Sequence, residues 1–327
     1  MFWFLWFKIM TNRFVTLDGW RGISILFVLS GHLLPLGPKF LQLNSAVATA
    51  GMAMFFILSG FLITNILLKD QDITKFIIRR FMRIIPLAWL IIMISLVSIS
   101  ADIKTYFSHL FFYANLGDID LALSLAHFWS LCVEMQFYVA VAILVAVLKS
   151  RSLYLIPVFC IGITMYRYTS GVEISINTHY RIDEILAGCM LALFYNLNHV
   201  VIKKLFSYIS PIYLLPLLIL SAHPDMGVFN YFRPYMAMLL IASTLHSSQS
   251  VWWYPCLTHR VLIYIATISY ALYIFHGTLN NTWLGEGDTF EKYMKRPLLF
   301  ATTFFLAHLS TFYYEKRWIT LGKKLTK

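Results

Sequence analysis

An all-α polytopic membrane protein of about ten transmembrane helices, with both termini cytoplasmic, is predicted by three observations. The chain of 327 residues is 59% hydrophobic and only 13% charged, whereas soluble domains carry roughly 25% charge. Apolar stretches of spanning length recur from end to end. Lys and Arg gather at alternate ends of those stretches, and the bias sets orientation.

The first span is placed at 14–34 and the second at 46–68, each predominantly apolar and near the ~20 residues that a bilayer requires. The third, 84–101, follows a basic run, and the segment 103–116 is expected as an interfacial helix. Spans at 128–148, 153–170 and 182–198 come next. The last four are 205–222, 234–250, 261–280 and 297–315. The opening MFWFLWFKIM lacks a small-residue cleavage site and is expected as an interfacial foot, not a cleaved signal. No stretch between spans could hold a soluble domain, so 1–327 reads as a single transmembrane domain. With the N-terminus inside, Lys69, Arg79, Arg80, Arg83, Lys316 and Lys323 fall on the cytoplasmic face, and an even number of spans returns the C-terminus there.

The formal charge of +11 would suggest nucleic acid on a soluble protein. Bases at the ends of apolar segments point instead to topology and anionic lipid headgroups. No zinc-finger, helix-turn-helix or RNA-binding pattern is present, and nucleic acid is not expected as a partner. Cys132, Cys160, Cys189 and Cys256 form no CxxC pair, so packing is expected of them, without disulfide or metal.

Charge inside lipid costs at least ~2.5 kcal/mol per residue near a helix centre, so each instance needs a reason. In the first span, Asp18, Arg21 and His32 lie on one stripe. Arg21 and His32 are separated by about 16 Å of helical rise and point within about 20° of each other. Gly19, Gly22 and Gly31 let neighbouring helices approach. In HFWSLCVEMQFY (127–138), Glu134 and Gln136 sit inside the fourth span below His127, Trp129 and Ser130. A deep Glu needs a cation or must be neutral, and His32, placed at similar depth, is the expected partner. That pairing would fix the imidazole tautomer and raise its basicity. In KFIIRRFMRIIPLAW (75–89), Arg79, Arg80 and Arg83 form a phosphate-binding surface, and Pro86 is expected to kink the helix beyond them. Arg181 and Asp183 open the sixth span and either orient a polar substrate or pair. His276 is expected as a satisfied interfacial histidine, and Glu315 as an anchor of the tenth span.

The blocks LDGWRGI…GH, GMAMFFILSGFLIT, FIIRRFMRIIP, HFWSLCVEMQFY, RIDEILAG, ISYALYIFH and YYEKRW resemble, in order, those of the acyltransferase 3 family of integral membrane acyltransferases. The resemblance covers nearly the whole chain. It departs where Ala53 and Met135 stand at usually acidic positions and where the final block lacks its proline. It implies an acyltransferase core that draws on cytoplasmic acyl-coenzyme A and modifies an acceptor, often an envelope sugar, at the outer face. The family's first-span histidine and arginine correspond to His32 and Arg21, its paired arginines to Arg80 and Arg83, and its fourth-span acid to Glu134.

The expected function is transfer of an acyl group, by default acetyl, from acyl-coenzyme A to a hydroxyl of an envelope carbohydrate such as O-antigen or lipopolysaccharide sugar, at a bacterial inner membrane. His32 and Glu134 are the expected catalytic pair. Arg21, Arg79, Arg80 and Arg83 are expected to hold the donor. Asp18, His127, Gln136 and Arg181 are expected to support substrate or structure. Membrane lipids and the glycan are the expected partners, and no metal is expected. A carrier or flippase for a polar or lipid-linked solute explains the intramembrane charges equally well. It explains the arginine run less well, and no internal repeat marks a transporter. A membrane sensor or scaffold would leave His32 and Glu134 without a role.

Overall fold

The computed structural model describes residues 14–117, 121–197, 209–245 and 251–327, and these are helices joined by turns, with no strand among them. The expected N-terminal foot lies outside the described residues. The principal helices are α1 (Val15–Leu33), α2 (Leu43–Lys69), α3 (Ile73–Ser98), α4 (Ile103–Leu110), α5 (Trp129–Leu148) and α6 (Ile156–Thr169). They continue as α7 (Asp183–Asn196), α8 (Pro211–Ser221), α9 (Arg233–Leu245), α10 (Arg260–Asn280), α11 (Thr289–Leu309) and α12 (Lys316–Leu325). A helix stands at each of the ten segments read as spans, and α4 occupies the segment read as interfacial.

The helices centred on α2, α3, α5 and α10 are long and apolar enough to cross a membrane. Their starts and stops follow from local chemistry. Asp72 opens α3 by accepting from the Lys75 backbone N–H, and Asp102 opens α4 by accepting from that of Thr105. Helix α3 is continuous through Pro86. The hydroxyls of Tyr270 and Tyr314 donate to the Ile84 and Pro86 carbonyls, tying α3 to α10 and to the residues after α11.

Helix α2 is the hub. Most of it is buried, and it packs on α1, α7 and α9, while α10 packs on the other side of α1. Gly22 makes the α1–α10 contact possible. A Cβ there would stand 2.6 Å from the Leu262 carbonyl oxygen, which is backbone and cannot yield. Gly19 and Gly31 likewise meet neighbouring backbone, as the sequence suggested. Cys132, Cys160 and Cys189 are buried among helices.

A π-helical turn, Ser310–Glu315, joins α11 to α12. Such turns insert a residue into the helical ladder and turn the following side chains onto a new face. Here the turn aims Glu315 inward, bonded by the hydroxyls of Ser310 and Thr311 at 2.9 and 3.2 Å. Gly322 lets α12 lie against Met82 and Ile78 of α3.

Candidate functional site

Helix α1 carries polar residues at both ends, and a different group of helices gathers around each. At the Arg21 end, a cavity of about 840 Å³ is lined by Asp18, Arg21, Lys69, Arg83, Glu315 and Lys323, among others. A second cavity of about 260 Å³ shares Arg83 and Lys323 with it and adds Lys75, Arg79 and Arg80. The bases come from four places in the chain: the first turns of α1, the end of α2, the start of α3 and the final helix. Side chains far apart in sequence therefore form one cationic basin with four carboxylates, Asp18, Asp70, Asp72 and Glu315, on its walls.

The three arginines of α3 are not equivalent. Arg79 donates from Nε to Thr326 Oγ1 at 2.8 Å, which ties it to the C-terminal residues. Arg80 is half-buried and lies over the Tyr138 ring, 5.9 Å from its centroid. Arg83 is exposed and lines both cavities.

At the other end of α1, His32 Nδ1 lies 2.9 Å from His276 Nε2. The ring planes are 3° apart with centroids separated by 5.2 Å. That separation equals the N···N distance plus the two ring radii, so the imidazoles meet edge to edge in one plane, the geometry of a straight hydrogen bond. His276 Nδ1 lies 2.7 Å from the Tyr273 carbonyl oxygen. His276 is wholly buried, whereas His32 is exposed. The third imidazole, His127, packs edge-on against His276 with centroids 5.0 Å apart, and its Nε2 is 3.1 Å from the Ile274 carbonyl oxygen. Gly277 accepts the His127 ring where any side chain would collide with it. Tyr273 closes the group, its hydroxyl bonded to the His127 carbonyl and to Ser130 Oγ. His276 Nδ1 and His127 Nε2 are thus turned to carbonyl oxygens, and His276 Nε2 to His32. Among the described residues no group of three His, Cys, Asp or Glu side chains is arranged to hold a metal ion.

Glu134 does not pair with His32 as expected. Ser59 Oγ donates to Glu134 Oε1 at 2.5 Å, and the Tyr138 hydroxyl donates to the same oxygen. Arg21 and Arg80 both lie within its electrostatic reach. The reason is depth along one continuous stretch of chain. His127, seven residues earlier, is the side chain that reaches the imidazole pair, and seven residues of helix carry Glu134 about 10 Å further toward the arginines. His276, read as merely interfacial, takes the place that Glu134 was expected to fill. The available signal was its position in α10, an apolar helix where a histidine calls for a partner.

Gln136 bridges locally, donating to the Phe112 carbonyl at 2.7 Å and to Asn115 Oδ1 at 2.9 Å. Arg181 joins a buried ion network: it lies 3.4 Å from Glu184, whose other oxygen takes Arg233 at 2.5 Å, while Arg167 holds Asp183 at 2.5 Å. The Arg181 guanidinium also covers the Trp129 ring. Trp129 therefore connects this network to the first turn of α5.

A family model described as an acyltransferase domain matches residues 14–320. The chain belongs to the acyltransferase 3 family. This family member is 26% identical to the peptidoglycan O-acetyltransferase OatA of Listeria monocytogenes, in an alignment covering 92% of this chain and 55% of that protein. It is 28% identical to YrhL of Bacillus subtilis, a candidate peptidoglycan O-acetyltransferase, over 83% of this chain and 49% of that one. The chain spans about half the length of the curated relatives it matches. No solved structure matches it.

Proposed function

We propose that the protein is a membrane O-acyltransferase that moves an acyl group, acetyl by default, from cytoplasmic acyl-coenzyme A to a hydroxyl of an envelope carbohydrate. The observation that carries this reading is the two-ended α1. A cationic basin with room for a phosphorylated donor surrounds Arg21, and a hydrogen-bonded, exposed imidazole stands about three turns away.

Arg80 and Arg83, with Arg21, Lys69 and Lys323, match the phosphates of coenzyme A in charge, and guanidiniums bind phosphate through paired N–H donors. The carboxylates of Asp18 and Glu315 limit the net positive charge of the basin. A long, thin acyl-pantetheine arm fits the separation between basin and imidazole. His32 takes the proton from the acceptor hydroxyl, whose oxygen forms a bond to the acyl carbon as the carbon–sulfur bond breaks. The departing thiolate then takes that proton from the imidazolium. General-base assistance of this kind contributes typically ~10²–10⁴-fold.

The arginine end faces the cytoplasm in this reading, as the distribution of Lys and Arg implies. The acceptor is an envelope glycan: the relatives' names point to peptidoglycan, and the sugars of O-antigen or lipopolysaccharide offer the same hydroxyl chemistry. The location that follows is the bacterial inner membrane. The deciding experiment incubates purified protein in lipid with labelled acetyl-coenzyme A and envelope extract. Label on glycan with stoichiometric free thiol, lost in His32→Ala, is the expected result. Solute movement without thiol release would make the protein a carrier and overturn the proposal.

A further inference from the structure

We infer that His276 is the positioning residue that holds His32 in the tautomer with Nδ1 protonated and Nε2 free to accept a proton. The inference rests on the reading of His32 as the base and deepens it. It follows from counting protons along a chain of three groups. The Tyr273 carbonyl oxygen only accepts, so the 2.7 Å contact from His276 Nδ1 requires the proton on that nitrogen. His276 is wholly buried, and an imidazolium there would be costly without a counter-charge. The aromatic rings packed against it are His127, Tyr273 and His32, none of which supplies a counter-charge. A neutral His276 with Nδ1–H has a lone pair at Nε2. The 2.9 Å bond between the imidazoles then has one possible donor, His32 Nδ1. His32 Nε2 is left as the basic nitrogen, on the residue that is exposed at this end of α1.

His127 supports the arrangement without sharing the proton. Its Nε2 donates to the Ile274 carbonyl, and its ring closes one face of His276. A histidine in water prefers the proton on Nε2, so without a partner His32 would mostly present the wrong nitrogen state. When Nε2 takes the acceptor's proton, the charge that appears on His32 is stabilised by a bond already aimed at the Tyr273 carbonyl through His276. A carboxylate in the same place would perform the same task with a full charge; this site uses a neutral imidazole whose direction is set by a backbone carbonyl.

Two measurements on the full chain in lipid nanodiscs test this. With ¹⁵N-labelled histidine, and His32 assigned by its loss in His32→Gln, the ring-nitrogen shifts of the otherwise unaltered protein should show His32 protonated at Nδ1 and unprotonated at Nε2. A His32 protonated at Nε2 overturns the inference, whatever the variants do. In steady-state transfer, His276→Phe should lower kcat at least tenfold with the acyl-coenzyme A KM held within twofold. His276→Gln, whose carboxamide oxygen can accept from Nδ1–H, should recover a substantial part of that loss. Unchanged kcat in His276→Phe, with His32→Ala inactive, overturns the positioning role and leaves the function standing. Full turnover by His32→Ala removes His32 from the mechanism, and this inference with it, whereas solute movement without thiol release overturns the function itself.

Discussion

A carboxylate enclosed by helices must find donors, and Glu134 finds the hydroxyls of Ser59 and Tyr138. Gln can accept from both, whereas Ala removes their shared acceptor and leaves the two hydroxyls only each other, 3.2 Å apart, at a cost of about 1–3 kcal/mol. Glu134→Gln should therefore keep its thermal stability in detergent and a pH–rate profile that overlays that of the unaltered protein, because the imidazole answers to His276. A profile displaced in Glu134→Gln would reinstate the carboxylate as the partner of His32. Glu134→Ala should unfold several degrees lower. The arginines make a graded set. Arg80→Ala with Arg83→Ala removes two cations from the donor basin and should raise the acyl-coenzyme A KM at least tenfold, since charge-assisted bonds contribute about 1.5–3 kcal/mol each. Arg79→Ala should raise it less, because Arg79 already spends its Nε donor on Thr326. An unchanged acyl-coenzyme A KM in the Arg80→Ala, Arg83→Ala variant would return the run to topology alone.

At the scale of helices, the site exists because α1 and α10 touch. His32 rides on one and His276 on the other, and Gly22 sets how near the axes come. Gly22→Leu should push the helices apart at the Arg21 end, with overpacking costing about 1–3 kcal/mol, and should weaken donor binding along with transfer because Gly22 adjoins Arg21 on the basin wall. Donor affinity unchanged in a folded Gly22→Leu would argue against that. The helix positions were legible in the sequence because an apolar run of spanning length is a local property, and so was the stripe of Asp18, Arg21 and His32, fixed by helical periodicity alone. Which helix answers His32 was not legible. It depends on the packing of α1 against α10 and on the depth difference between His127 and Glu134, and neither is written in any single segment. The role of Glu315 was hidden for a similar reason: a π turn moves it to a face that a regular helix would not give.

Across the whole molecule, buried ion pairs lock the helices that lie away from α10. Arg167 and Asp183 join α6 to α7, and Glu184 with Arg233 joins α7 to α9, with Arg181 beside them; every one of these side chains is 3% exposed or less. Helices whose outer faces are all apolar have little to fix their relative rotation, and a charge that must meet one particular partner does so. Removing one member strands its partner without water, at about 3–5 kcal/mol. Asp183→Asn should therefore lower the unfolding temperature in detergent markedly. Asp70→Asn, which breaks the half-exposed 2.7 Å pair with Lys75, should change stability by about 1 kcal/mol or less. Replacing both partners, as in Arg167→Met with Asp183→Leu, should recover much of the loss, since a well-packed apolar pair can equal a buried ion pair. If the single and double variants unfold at the same temperature, the network contributes through something other than its charges, and its hold on the rotation of α6, α7 and α9 falls with it.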